Sequence, residues 1–318
     1  MSSRIPTSSL SRSDAANGWA ALPKQYAIPE SAPTLKESRA YCERLAKNHY
    51  ENFSVATWFL PARLKPHFYS IYAYCRVSDD LGDEVVNPQQ SLALLEEWEA
   101  ELDACYAGNP RHPVFVALRE TVLACEIPRE PFANLLAAFR QDQTITRYQT
   151  FDDLLGYCVN SANPVGRLVL YACGYRDEQR QQLSDFTCTA LQLANFWQDV
   201  SVDYTKARIY LPLDDLATYE VGESEIAEHR ATPKFRELMR FEVERARDWF
   251  RKGRPLIALV DRELAVDIEL FSRGGEEILN AIEKQRFDVL TSRPAISNSR
   301  KVSLVAGAAF RALSGRLR

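Results

Sequence analysis

Two stretches of this 318-residue chain place carboxylates one helical turn apart behind a run of apolar residues. In YSIYAYCRVSDDLGDEV (69–85), Phe68, Ile71, Tyr72 and Cys75 recur at helical spacing, and stepping by fours from Cys75 reaches Asp79 and then Asp83. In LQLANFWQDVSVDYTKARIYLP (191–212), Cys188, Leu191, Gln192 and Asn195 lead by the same step to Asp199 and Asp203. Residues four apart share a helix face, so each pair is expected to prolong the stripe that meets the core. Asp80 and Glu84 are expected to turn outward or to stand behind the pair. Unpaired carboxylates in an apolar interior are costly, and four facing one another repel, so a positive partner is required. Carboxylate oxygens suit hard divalent cations, and Mg²⁺ usually takes one or two of them together with waters and substrate phosphates. Two such pairs on facing helices would form a rim that clamps several Mg²⁺ ions and, through them, a diphosphate. The metals would stabilise the leaving pyrophosphate and so permit ionisation to a carbocation.

Basic residues accompany the acids. Arg76 lies three positions before Asp79, and Lys206 and Arg208 follow Asp203 where the helix gives way to RIYLP. Arginine suits bidentate phosphate contacts; the competing reading is an ordinary ion pair with the neighbouring acids. Phe53, Tyr72, Tyr74, Tyr157 and Phe196 are aromatic candidates for a cavity wall that steadies a cation through ring faces, with Phe53 and Tyr72 preferred. Aromatics at helical spacing also serve simply as core.

The elements that must hold these residues are helices. With 46% apolar residues, only 12 glycines and no clean alternating Val/Ile/Thr runs, the chain reads as all-α. Helical periodicity runs over 34–50, 53–60, 63–85, 90–106, 112–124, 129–145, 151–173, 177–205, 223–229, 232–252, 255–270 and 273–291. Thr150 with Asp153 forms a capping-box pattern, and Pro128 and Pro131 open the helix after them. Breaks fall at GNPRHP (108–113), RIYLP (208–212) and SRPAIS (292–297). Short connections suggest one helical domain over 34–295, preceded by a flexible leader (1–33) and followed by a basic, apolar-striped tail (296–318). The leader has alternative readings as a transit peptide, which Asp14 weakens, but not as a secretory signal. The tail either lies on an anionic membrane surface or docks on the body of the protein.

The formal charge of −4 argues against a general nucleic-acid binder. Seven widely spaced cysteines without CxxC and four scattered histidines argue against a disulfide framework or a zinc site, with a reducing cytoplasm as the default. No run approaches about 18 apolar residues, the length needed to span a membrane.

On Asp79/Asp83, Asp199/Asp203, the YAYCR lead-in, Asn195, RIYLP with Tyr210, and DQTITRYQTFDDLLGYC (142–158) with Tyr157, the sequence resembles the squalene/phytoene synthase family from about Asn48 to Leu313. The resemblance implies an isoprenoid-synthase helical bundle around a central cavity, Mg²⁺, C30 or C40 prenyl chemistry, and an apolar prenyl diphosphate as substrate. Two departures from the family pattern, NSANPVGRL (160–168) and HYENFSVA with Glu51 and Asn52, look like the hydroxysqualene synthase branch of hopanoid-pathway enzymes. That branch is implied to ionise presqualene diphosphate and capture the cation with water, without NADPH. A single diphosphate needs less positive charge than two, which makes Glu51 tolerable. Ser161 and Asn163, beside a helix-opening Pro164, could hold the water; alternatively they satisfy backbone groups that the proline frees.

The nearest alternatives are presqualene diphosphate, squalene or phytoene synthesis by condensation of two prenyl diphosphates. A non-catalytic relative acting in assembly would be expected to lose the acidic pairs, and all four aspartates are present. A pathway partner supplying presqualene diphosphate and a cytoplasmic location, with peripheral contact at the inner membrane surface, complete the expectations.

Overall fold

The computed structural model describes residues 22–48 and 61–297, together with 15, 19, 20, 299, 300, 302–304, 306, 307 and 311. Among them the chain is all-helical, with a single isolated β-bridge between Arg147 and Ile209. They form two compact units whose main division falls between Thr144 and Ile145.

The first unit contains α1 (Leu35–Asn48), α2 (Lys65–Asp83), α3 (Pro88–Ala107), α4 (Pro113–Cys125) and α5 (Glu130–Gln141). Local chemistry sets their ends. The Asn87 side chain accepts from the N–H groups of Gln89 (2.9 Å) and Gln90 (3.1 Å), Pro88 opens α3, and Gly108 closes it at φ 98°. His112 performs the same capping task for α4, accepting from Val114 N through Nδ1 at 3.2 Å. α2 packs against α1, α3, α4 and α5. Tyr74, Trp98, Phe115 and Phe132 form the centre, with ring centroids 4.5–5.7 Å apart. Their polar atoms are satisfied there, Trp98 Nε1 by Ser78 Oγ (3.0 Å) and Tyr74 Oη by Phe132 O (2.7 Å).

The second unit contains α6 (Phe151–Ser161), α7 (Asn163–Ala172), α8 (Glu178–Thr205), α9 (Leu213–Thr218), α10 (Glu223–Ala227), α11 (Pro233–Gly253) and α12 (Arg262–Lys284). The Thr150–Asp153 capping box is present in both directions. The stretch 151–173, read as one helix, divides at Ala162 into α6 and α7, where Pro164 can donate no backbone bond. The opposite correction applies further on: 255–270 and 273–291 are a short 3₁₀ turn, Arg254–Ala258, and then one continuous helix through Gly274 and Gly275. Gly275 is a close-approach position, since a Cβ there would lie 2.4 Å from the Phe250 ring and 2.9 Å from Leu191 Cδ2. α9 was missed, being too short to show a period. The long α8 forms the axis of this unit and packs against α7, α11 and α12. RIYLP runs beside 146–149 in extended form: Ile209 N donates to Thr146 O, and Leu213 N to Tyr148 O, both at 2.9 Å.

Part of the presumed leader is packed. Tyr26 is 2% exposed, and Trp19 Nε1 donates to Glu97 at 2.6 Å. In the tail, Arg300 bonds Glu277 and Arg311 bonds Glu269 (2.7 Å), so described tail residues are tied to α12. Among the described residues no helix is long and apolar enough to cross a membrane.

α12 also buries Asp267, whose Oδ1 has no hydrogen-bond partner among the described residues. Burial pushes this carboxyl up to about 8. The folded chain therefore retains a proton that the unfolded chain releases near the ordinary carboxylate value of about 4. The associated stability is full below about pH 4 and is lost as the pH rises through 8. Asp267→Asn, which cannot ionise, should exceed the parent in urea stability at pH 8, with the gain shrinking toward pH 4.

Candidate functional site

In the first unit, Tyr72, Arg76, Asp79 and Asp83 follow one another along α2 at steps of four, three and four. This arc is the least covered part of the helix. Ile71, Tyr74, Ser78 and Leu81 make the core stripe, whereas Tyr72, Arg76 and Asp79 are half-buried and Asp83 is exposed. The acids therefore border the core and do not prolong it, which corrects the expectation drawn from the spacing. Tyr74 is fully buried in the core of this unit, its hydroxyl on Phe132 O. Phe53, Glu51 and Asn52 lie outside the described residues.

Of the two placements expected of Asp80, outward or behind the pair, the structure shows the second. Asp80 is 5% exposed and accepts from Tyr26 Oη at 2.6 Å. Arg76 Nη2 ion-pairs with its Oδ1, while Nη1 stands 3.5 Å from Asp79 Oδ2. Burial lowers the basicity of Arg76, but the Asp80 and Asp79 carboxylates more than offset this and hold its pKa above the ordinary value. Burial raises the Tyr72 hydroxyl. The ion-pair reading of Arg76 is thus the one seen in this structure.

In the second unit, α8 repeats the arrangement. Ala190, Leu193, Trp197 and Val200 are core, while Asn195 is exposed and Asp199 and Asp203 are half-buried. The chain reverses just past Thr205 through Ala207 at φ 59°, and both Lys206 N and Arg208 N donate to Asp203 O at 2.9 Å. This turn keeps the two basic residues next to the acidic pair, as expected. A residue the sequence reading missed sits on Asp199. Arg293 donates to it through Nε and, at 3.0 Å, through Nη2, which also reaches Gln198 Oε1 at 3.1 Å. Gln198 Nε2 in turn donates to Pro294 O at 2.7 Å, fixing the segment after α12. Nothing in local spacing links residues 94 positions apart.

Tyr157, Phe196 and Tyr210 come together as one buried cluster, joined by Tyr148, which the sequence reading had not singled out. Phe196 and Tyr210 stack at 3.8 Å with planes 11° apart, and Tyr157 lies 5.9 Å from Tyr210 and 6.1 Å from Phe196. Tyr148 stacks on Tyr210 with ring centroids 5.8 Å apart and lies 5.5 Å from Tyr157. At the α6–α7 break, Asn163 is 6% exposed, and its Oδ1 accepts from Thr189 Oγ1 at 2.9 Å. Ser161 Oγ is buried without a partner among the described residues.

Among the described residues no three His, Cys, Asp or Glu side chains gather as a ready-made metal cage. The donors available are the two aspartate pairs. A groove of about 860 Å³ on the first unit, bordered by Leu35, Pro110, Arg119 and Leu123, holds none of the predicted site residues.

Residues 46–300 match the family described as squalene/phytoene synthase. The chain is 30% identical to a phytoene synthase of Arthrospira platensis over 292 residues, 88% of this chain and 94% of that one. Among solved structures it is similar to squalene synthase HpnC from Alicyclobacillus acidocaldarius, with TM-score 0.77 and 43% identity over 86% of this chain and 99% of that one. It is also similar to a dehydrosqualene synthase, with TM-score 0.79 and 26% identity over 88% and 98% of the two chains.

The Asp199–Arg293 pair should be energetically coupled. A double-mutant cycle of Asp199→Asn and Arg293→Ala, read by urea unfolding, is expected to give about 1 kcal/mol, the modest value of a partly exposed pair.

Proposed function

Since the chain belongs to the squalene/phytoene synthase family, we propose that it ionises an isoprenoid diphosphate with the help of Mg²⁺ and, more narrowly, converts presqualene diphosphate to hydroxysqualene. The donor set fits the metal: Asp79/Asp83 and Asp199/Asp203 offer carboxylate pairs one turn apart on half-covered arcs. Mg²⁺ seldom demands an all-protein cage, because waters and substrate phosphates complete its shell. When bound, the metal supplies charge that stabilises the departing diphosphate.

The chain's own residues do the rest. Arg76, Lys206 and Arg208 bind phosphate oxygens, with Asn195 beside the second acidic pair. The C–O bond breaks and its electron pair leaves with the diphosphate. The ring faces of Tyr157, Phe196 and Tyr210 favour the cation that remains. A water lone pair then forms the new C–O bond and one proton is released, so no reductant and no NADPH enter the balance.

The observation that carries the narrower reading is the α6–α7 break. Among the described residues, Asn163 bonds no backbone group freed by Pro164; its Oδ1 accepts from Thr189, and the neighbouring Ser161 Oγ is buried without a partner. Such a hydroxyl is poised to bind a water molecule. The 43% identity with squalene synthase HpnC supports a member of the family that acts in squalene chemistry. The 30% identity with a phytoene synthase favours a second reading, condensation of two prenyl diphosphates on the same scaffold. With so apolar a substrate, we place the enzyme on the cytoplasmic side, touching the inner membrane peripherally through the tail and receiving presqualene diphosphate from a pathway partner.

Incubation with Mg²⁺ and presqualene diphosphate, without NADPH, should yield hydroxysqualene by gas chromatography–mass spectrometry, while farnesyl diphosphate alone yields no C30 product. Presqualene diphosphate or a hydrocarbon formed from farnesyl diphosphate would instead support the condensation reading. Asp79→Asn or Asp203→Asn should each lower turnover by about a hundredfold or more. Asn163→Leu should shift product from alcohol to hydrocarbon, and Thr189→Val should do so more weakly; unchanged product would rule out the water-holding role.

A further inference from the structure

Tyr26 lies outside the stretch that matches the family, and its hydroxyl ends on the first acidic motif. It sits in a 3₁₀ turn, Lys24–Tyr26, whose backbone is anchored from α1 by Tyr41 Oη donating to Gln25 O at 2.9 Å. The ring is 2% exposed, and the hydroxyl donates to Asp80 Oδ2 at 2.6 Å. The other carboxylate oxygen, Oδ1, ion-pairs with Arg76 Nη2. On the same guanidinium, Nη1 is 3.5 Å from Asp79 Oδ2, and Nε is buried without a hydrogen-bond partner among the described residues.

An arginine and a carboxylate prefer two parallel hydrogen bonds over one. Arg76 and Asp80 have the atoms for that arrangement, Nε and Nη2 against the two carboxylate oxygens. They do not adopt it here: among the described residues Nε is left unpaired, and the Tyr26 hydroxyl stands on Oδ2. The guanidinium is held on Asp80 through Nη2 and more loosely on Asp79 through Nη1, which stays on the half-covered arc of α2.

We propose that Tyr26 is a positioning residue: by occupying Asp80 Oδ2 it prevents Arg76 from closing onto Asp80 and keeps that guanidinium available to a phosphate group at the Asp79/Asp83 pair. This rests on the diphosphate reading given above. It gives the N-terminal segment a share in the site without any contact of its own with substrate.

Tyr26→Phe tests it, since the ring and its packing remain and only the hydroxyl is lost. Freed of that donor, Asp80 takes Arg76 in two bonds, filling the unpaired Nε. The full-length variant should therefore bind inorganic pyrophosphate in the presence of Mg²⁺ about tenfold more weakly by calorimetry, with no fall in melting temperature. In an Arg76→Lys background, whose single ammonium cannot make the parallel pair, Tyr26→Phe should have no further effect on that affinity.

A lower melting temperature with unchanged pyrophosphate affinity would show a packing role only and overturn the proposal. An equal loss of affinity in both backgrounds would overturn it as well, since the effect would not pass through Arg76. If the parent protein binds no pyrophosphate with Mg²⁺ while Tyr26→Phe leaves the melting temperature unchanged, the diphosphate reading itself fails and the proposal falls with it.

Discussion

A carboxylate drawn partly out of water has to be met by positive charge or by hydrogen-bond donors, and each of the two acidic motifs, one in either unit, is arranged around that requirement. On α2, Asp80 is buried with Arg76 and the Tyr26 hydroxyl as its partners, while Asp79 shares the same guanidinium from a half-covered position. On α8, Asp199 is met by Arg293, brought back from beyond the last helix. In both cases one arginine stands on an acid of the DxxxD pattern. On the reading proposed above, these arginines would exchange partners when a phosphate or a divalent cation arrives at Asp79 or Asp199.

The rest of the second unit keeps this arrangement in register. Pairing of RIYLP with 146–149 fixes Tyr210 against Phe196 and sets Tyr148 and Tyr157 around it, so a stretch without regular secondary structure contributes a rigid aromatic surface. The backbone reversal at Ala207 returns Lys206 and Arg208 to Asp203. At the helix break at Ala162, the Asn163 amide is buried against Thr189 and the Ser161 hydroxyl is buried beside it. α12 passes close enough to α8 and α11 at Gly275 that a side chain there would displace the Phe250 ring.

The amphipathic period, the capping residues and the four-residue step between aspartates are properties of neighbours in sequence, so the sequence alone determined the all-helical class, most of the helices, the two acidic pairs and the family, but not the break at Ala162, the short α9 or the continuity of α12. Its local rules could not separate a stripe that enters the core from one that borders it, because both have the same period; α2 and α8 each present the acids on the bordering arc. Nor could they assign partners to charges. Tyr26 and Asp80 are 54 residues apart, and Arg293 and Asp199 are 94 apart. Which arginine meets which carboxylate, which hydroxyl is left unpaired at Ser161, and which of two adjacent aspartates is buried were decided only by the tertiary structure, because those outcomes depend on where the chain returns and what water it excludes.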